Sequence, residues 1–344
     1  MTASRFGVHA PRAAAGLAFP TAFFFATVSW FVFVSGTNLL TLRGIESLSQ
    51  QASWVILIAV GIGLTMIAGE FDLSVGATAL LGAVVSIKVG NQVTAIGPAV
   101  GLLAGAVVGL VNGSLIGIVR LNSLVVTLGT LVLVDGIANA LLGGNSLALS
   151  NIDAALWVDR SIAGPFAPRF LITVILALIV WAVFRWSWFG VSIRALGSDR
   201  IAASRARFSE ARTLVMVFVV SGAASGFAGS MLAYSVANVS PSFGSNILLS
   251  GASAAILGGI SLTGGSGTPV NAMLGALIVV VLQAGLADMN LDSDTIRLLF
   301  GLVLAASIAL YGRSGGSEAL IAGLARLRPS VRSAHPSHNK EVLE

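Results

Sequence analysis

The chain has 344 residues, of which 56% are hydrophobic and only 10% charged, with a mean hydropathy of +0.94. Soluble domains carry about 25% charged residues, so a water-facing globule is excluded. Cysteine is absent and the three histidines, His9, His335 and His338, sit near the ends, which rules out disulfides, thiolate chemistry and a buried histidine metal cluster.

A membrane-crossing helix needs about 20 mostly apolar residues. Runs of that kind predict an all-α integral membrane protein with ten spans, at 15–35, 51–69, 73–89, 97–118, 123–142, 170–186, 212–235, 247–262, 269–287 and 295–312. The first run follows Arg5 and Arg12, exceeds a signal-peptide core and has no clear small-residue cleavage site, so it reads as an uncleaved span. The net charge is +5 and the pI about 10.7. In this setting the excess of arginine marks loops kept in the cytoplasm rather than a nucleic-acid surface. With the N-terminus inside, 14 of the 19 Lys and Arg residues fall on the cytoplasmic side and five outside, which supports an even span count and cytoplasmic termini.

This divides the chain into a cytoplasmic tail (1–14), a transmembrane domain (15–312) and a second cytoplasmic tail (313–344). The last is rich in Ser, Gly, Pro and Arg and is expected to be disordered apart from one interfacial helix at 318–327. Two loops are long: 143–169 outside, and the Arg-rich 187–211 inside. A short echo links Asp72-Leu-Ser-Val-Gly76 with Gly259-Ile-Ser-Leu-Thr-Gly-Gly265, each at a turn between two spans. It matches the internal repeats of transporters and equally the chance similarity of Gly-Ala-rich spans.

Glu70 and Asp72 are acids where the second span meets the third. Acids within a membrane are functional candidates by default. The competing and favoured reading makes Asp72 a cap at the membrane edge, accepting N–H groups of the next helix. Asp135 lies within the fifth span and is either a pathway carboxylate or one paired with polar neighbours. Asn112, Asn122, Ser123, Thr127, Asn139, Ser250, Ser253 and Gln283 are spread over several spans. Such groups line a path for a polar solute or bond across helices as packing contacts. No Gly-x-x-x-x-Gly-Lys-[Ser/Thr] exists, so a nucleotide-hydrolysing P-loop is missing from this sequence.

The segment Val60-Gly-Ile-Gly-Leu-Thr-Met-Ile-Ala-Gly-Glu-Phe-Asp-Leu-Ser-Val-Gly76 resembles the signature of ribose/xylose-type, branched-chain-like permease subunits of ATP-binding-cassette importers. Four further stretches agree in order: Val111-Asn112-Gly113, Leu124 to Thr130, Phe189 to Gly197 with Arg194-Ala-Leu-Gly197, and Leu257 to Gly267. The likeness runs from about Leu39 to Gly312. Three places depart from the family pattern. Ser198 to Ser204 lacks the usual glutamate, Leu248 to Ser253 replaces an acidic stretch, and Asp135 stands where an arginine is usual.

The resemblance implies a type II importer-like permease in the bacterial inner membrane. It implies a homodimer with cytoplasmic ATPases and an extracytoplasmic binding protein. It further implies a monosaccharide or related solute and no cofactor on this chain, ATP being used by a partner. Path candidates are Asp72, Ser74, Asn112, Asn122, Thr127, Asp135, Ser250, Ser253 and Gln283. ATPase-coupling candidates are Gly197, Asp199, Arg200, Ile201, Ala202 and Ala203, read as a short helix docking on the ATPase. The alternative is an ion-coupled secondary transporter using Asp72 or Asp135. A third reading, an intramembrane enzyme using Glu70 and Asp72, is disfavoured by the missing histidine and cysteine.

Overall fold

The computed structural model describes residues 11–35, 38–244, 246–289, 291–292, 294–296, 298–303 and 305. The described residues up to Phe300 form one compact unit, and the described residues 301–303 and 305 of the remaining segment are helical. The helices are α1 (Pro11–Ser35), α2 (Leu42–Ile67), α3 (Val75–Gly90), α4 (Gly97–Gly117), α5 (Ser123–Leu142), α6 (Ile152–Asp159), α7 (Pro168–Trp186), α8 (Trp188–Ser198), α9 (Arg200–Arg205), α10 (Glu210–Ser235), α11 (Ile247–Leu257) and α12 (Pro269–Asp288). A two-residue ribbon pairs β1 (Leu147–Ala148) with β2 (Asn238–Val239) in antiparallel register.

Seven helices among the described residues are long and apolar enough to cross a membrane: those at α1, α2, α4, α5, α7, α10 and α12. The expected spans at 73–89 and 247–262 are shorter apolar helices, of 16 and 11 residues. The second of these stops at Gly258 because a glycine turn follows, with positive φ at Gly259, Gly264, Gly265 and Gly267. Part of the span expected at 295–312, and the tail after it, lies outside the described residues. The long 143–169 and 187–211 segments are not plain loops, since they hold α6, α8 and α9.

At the core α10 is wedged against α3 and α4. Helix α4 carries glycine at 101, 105, 109, 113 and 117, one per turn on a single face. A side-chain carbon on Gly105 would collide with the Gly222 carbonyl, and one on Gly109 with that of Phe218. On the other helix, Gly222 and Gly226 face the Gly105 and Gly101 carbonyls. Without a hydrophobic force between helices in lipid, such backbone-to-backbone contact is what holds them together. Gly82 and Gly229 bring α3 and α10 together in the same way. Helices α2, α11 and α12 form a second group, joined through Gly251 against Ile58 and Gly275 against the Ala254 carbonyl. Helix α1 lies on α12, with Phe31 over Gly285.

The two ends of the bundle differ. One carries the ribbon and α6, fixed by an Asp159–Arg169 ion pair at 2.5 Å, a Ser235-to-Asp159 hydrogen bond of 2.6 Å and a Ser161-to-Glu46 bond of 2.5 Å. The opposite end carries α8, α9 and the turn between α11 and α12. Trp186 and Trp188 are exposed at the junction of α7 with α8, where aromatic rings favour a membrane–water boundary.

The glycine contacts give opposite expectations for one chemical change. Gly105→Ala overfills the α4–α10 contact and is expected to cost about 1–3 kcal/mol. Gly129→Ala on α5 meets nothing within 4 Å and is expected to stabilise by roughly 0.5–1 kcal/mol through lower backbone entropy. Thermal unfolding of both variants in detergent measures the difference. Equal shifts would mean that α4 and α10 are not in contact.

Candidate functional site

The segment between α2 and α3 enters the bundle instead of skirting it. Asp72 is 2% exposed. Its Oδ2 accepts a hydrogen bond from the Ser221 hydroxyl of α10 at 2.9 Å. Ser221 stands eleven residues beyond the start of α10, which is about 16 Å along the helix axis. The cap reading therefore needs correcting on two counts. The N-cap position of α3 is Ser74, whose side chain makes no cap hydrogen bond, and Asp72 lies inside the bundle rather than at its edge. Asp72 does take the Ser74 N–H, at 3.1 Å, through Oδ1.

From Asp72 a chain of hydrogen bonds crosses four elements. The Ser74 hydroxyl donates to Asp72 Oδ1 at 2.6 Å. The Asn112 amide of α4 donates to the Ser74 oxygen at 2.9 Å. Thr130 of α5 donates to Asn112 Oδ1 at 2.6 Å. Each polar side chain of this network finds a partner, as a low-dielectric interior demands. Close by, Ser123 accepts from the Phe71 N–H at 3.5 Å, and Thr127 is fully buried with its hydroxyl on the Ser123 carbonyl at 2.8 Å.

The other path candidates lie elsewhere. Asn122 is exposed and caps α5, its Oδ1 accepting from Leu124 N and Val125 N. Asp135 faces a cavity of about 190 Å³ bounded by α3, α5, α11 and residues 241–244. Ser250 and Gln283 share a hydrogen bond of 3.3 Å at a cavity of about 330 Å³ that Trp54 and Phe300 also line. Ser253 is fully buried and its hydroxyl has no hydrogen-bond partner. The sequence candidates thus fall into a buried network, two cavities and a helix cap, with Ser253 apart from all of them. Ser221 and Thr130 complete the network, and the sequence does not mark them as part of it, because single hydroxyls on Gly-Ala-Val helices carry no pattern.

The segments that look alike to the importer signature converge, although they are far apart in the chain. The Gly265 N–H donates to the Ile67 carbonyl at 2.9 Å. A side-chain carbon on Gly197 would strike that same carbonyl, and one on Gly265 would strike Ser198. Gly69, Gly264 and Gly265 have φ of +82°, +87° and +75°, so glycine serves here for both space and conformation.

Asp199 caps α9, accepting from Ile201 N at 2.8 Å and Ala202 N at 3.0 Å. Arg200 then reaches Glu70, whose side chain is buried, and Glu210 at the start of α10 at 2.9 Å. Ala203 is 2% exposed and packs within the chain, so its small size serves the fold. Ile201, 67% exposed, is the large apolar side chain that α9 turns outward, with Ala202 beside it.

A helical bundle with seven helices of membrane-spanning length among the described residues is a multi-pass membrane protein. The chain belongs to the family described as the permease component of the branched-chain amino acid transport system, whose model matches residues 44–308. The L-arabinose ABC transporter permease protein AraH of Azospirillum brasilense is 32% identical over 295 residues, 84% of this chain and 85% of its own. The probable ABC transporter permease protein y4mJ of Sinorhizobium fredii is 29% identical over 272 residues, 77% and 80% of the two chains. The D-allose transport system permease protein AlsC of Escherichia coli is 27% identical over 288 residues, 82% and 87%. No solved structure matches the chain.

The Arg200–Glu70 pair is open to direct test. Arg200→Met leaves a buried carboxylate without its cation. Because Arg200 is itself half exposed, solvent screens part of the loss, and a cost of about 1–3 kcal/mol is expected. Adding Glu70→Gln removes the stranded charge and is expected to restore most of the stability. Unfolding temperatures of the single and double variants measure this, and no recovery in the double variant would show that the pair does not hold α9 in place.

Proposed function

We propose that this chain is the membrane subunit of an ATP-driven importer and forms the translocation path for a monosaccharide or related polar solute. The observation that carries the reading is membership of a permease family, together with relatives named as arabinose and allose permeases that align over four-fifths of the chain. Two copies of the chain would enclose the path. A cytoplasmic ATPase pair would drive it, and an extracytoplasmic binding protein would deliver the solute.

The arrangement around α9 suits energy coupling. Arg200 ties this peripheral helix to Glu70, and Glu70 stands two residues from Asp72 at the head of the buried network. A push on α9 from an ATPase would therefore reach the interior through packed, hydrogen-bonded groups, biasing the bundle between outward-open and inward-open states. The neutral hydroxyls and amides inside suit a hydroxylated solute better than an ion.

Uptake by the chain in liposomes is expected only with an ATPase partner and ATP inside, and not under a proton or sodium gradient. Accumulation driven by either gradient in the purified chain would favour the secondary-transporter reading and sink this one.

The proposed orientation has ten spans, both termini in the cytoplasm and α9 facing the ATPase, supported by the 14-to-5 division of basic residues. A reporter at Ser198 is expected in the cytoplasm and one at Asp153 outside. Ile201→Asp places a charge on the outward face of α9 and is expected to weaken ATPase co-purification at least tenfold with membrane insertion intact. Undiminished co-purification would put the docking surface elsewhere.

A further inference from the structure

Asp135 is a half-buried acid within a long span, and it lines a cavity without a cation beside it. Among the described residues Glu70 pairs with Arg200 and Asp159 with Arg169, whereas Asp135 enters no ion pair. Its side-chain partner is Asn139, one turn further along α5, whose amide donates to Asp135 Oδ2 at 2.9 Å and to the Asp135 carbonyl at 3.0 Å. Both amide hydrogens of Asn139 are thereby used. The Asn139 Oδ1 is buried and has no hydrogen-bond partner.

An ionised carboxylate accepts about four hydrogen bonds, and this one receives a single one. This stretch of α5 therefore holds a surplus of acceptors and no spare donor. The surplus stands beside empty space: the 190 Å³ cavity is lined by Asp135 and otherwise by apolar groups, among them Gly76, Ala77, Gly244 and Leu248. Gly76 and Gly244 form part of its wall, where their backbones approach so closely that a side-chain carbon on either would press on the other. The cavity is below the roughly 300–1,000 Å³ of drug-sized pockets, so its occupant is small.

Resting on the transport reading above, we infer that this cavity is a solute station that accepts hydrogen-bond donors, neutral or cationic, and turns away anions. A hydroxyl or ammonium group satisfies Asp135, which is otherwise costly within a span. A carboxylate or phosphate on the solute meets a like charge at short range with no cation to offset it. The apolar remainder of the lining packs the carbon face of the solute without competing for its polar groups.

The chain has no cysteine, so a single introduced thiol reports on the cavity alone. Leu248→Cys in the full-length chain in lipid vesicles is to be treated with a cationic and an anionic methanethiosulfonate of similar size. The cationic reagent is expected to react roughly tenfold faster or more, given one unscreened charge nearby. Asp135→Asn in the same background is expected to bring the two rates close to parity. Ala77→Cys serves as a second reporter in case position 248 does not tolerate the change. Protection is then tested with D-glucose, D-glucosamine and D-glucuronate, which share a ring and differ in charge. Glucose and glucosamine are expected to slow labelling, and glucuronate is not. Charge-independent labelling, equal protection by glucuronate, or no protection by any of the three would overturn the inference. These measurements need neither ATPase nor ATP, so they can fail while ATP-driven transport stands, and the reverse.

Discussion

The backbone-to-backbone contact of α4 with α10 sets the geometry on which the rest of this structure depends. Glycine at every fourth position of α4 removes a whole row of side chains, and Gly222 and Gly226 remove the opposing one. The carbonyls of one helix then touch the α-carbons of the other. That spacing brings Asn112 of α4 and Ser221 of α10 within reach of a single short segment, so that Ser74 and Asp72 can bond to both at 2.9 Å. Hydrogen bonds of this length do not survive the displacement of a helix by the width of a methyl group. The polar network is thus a consequence of the glycine face, and the steric and electrostatic features of the bundle are one feature.

The segment from Gly69 to Ser74 joins two environments within a few residues. Glu70 faces the arginine of α9 at the edge of the bundle, and Asp72 faces hydroxyls in its interior. The glycines at 197, 264 and 265 let α8 and the α11–α12 turn close upon the same place. A peripheral element, a central network and the start of α3 are therefore linked by contacts without slack. Gly76, two residues past the network, borders the Asp135 cavity. A displacement originating at α9 has a physical route toward the space where a small solute fits.

Much of this was legible in the sequence. Hydropathy located each long span to within a few residues at most ends, because a helix in lipid must satisfy its own backbone and the apolar run has to match the bilayer. The motifs around Asp72, Asn112, Gly197 and Gly265 pointed to a permease resembling sugar importers, and the family match agrees. Asp72, Ser74, Asn112 and Thr127 proved to be neighbours. The sequence was misleading where a local signal was read without its surroundings. Asp72 followed by an apolar run has the pattern of a helix cap at a membrane edge, and only the position of Ser221 puts it in the interior. Ala203 looked like a docking surface because alanine is small, whereas it is packed inside.

The sequence by itself determined that the chain lives in a membrane, roughly where it crosses, and which class it resembles. The first two follow from composition and run length, which are additive along the chain, and the third from short motifs that are local in it. Tertiary structure alone decided which polar groups meet. It paired Glu70 with Arg200 across 130 positions and Asp72 with Ser221 across 149, and it left Asp135 without a cation beside a cavity. In a bundle whose helices are apolar on nearly every face, no periodicity marks which side faces a neighbour. Partners are fixed by the close approach that glycine permits, and that approach is a property of two helices together.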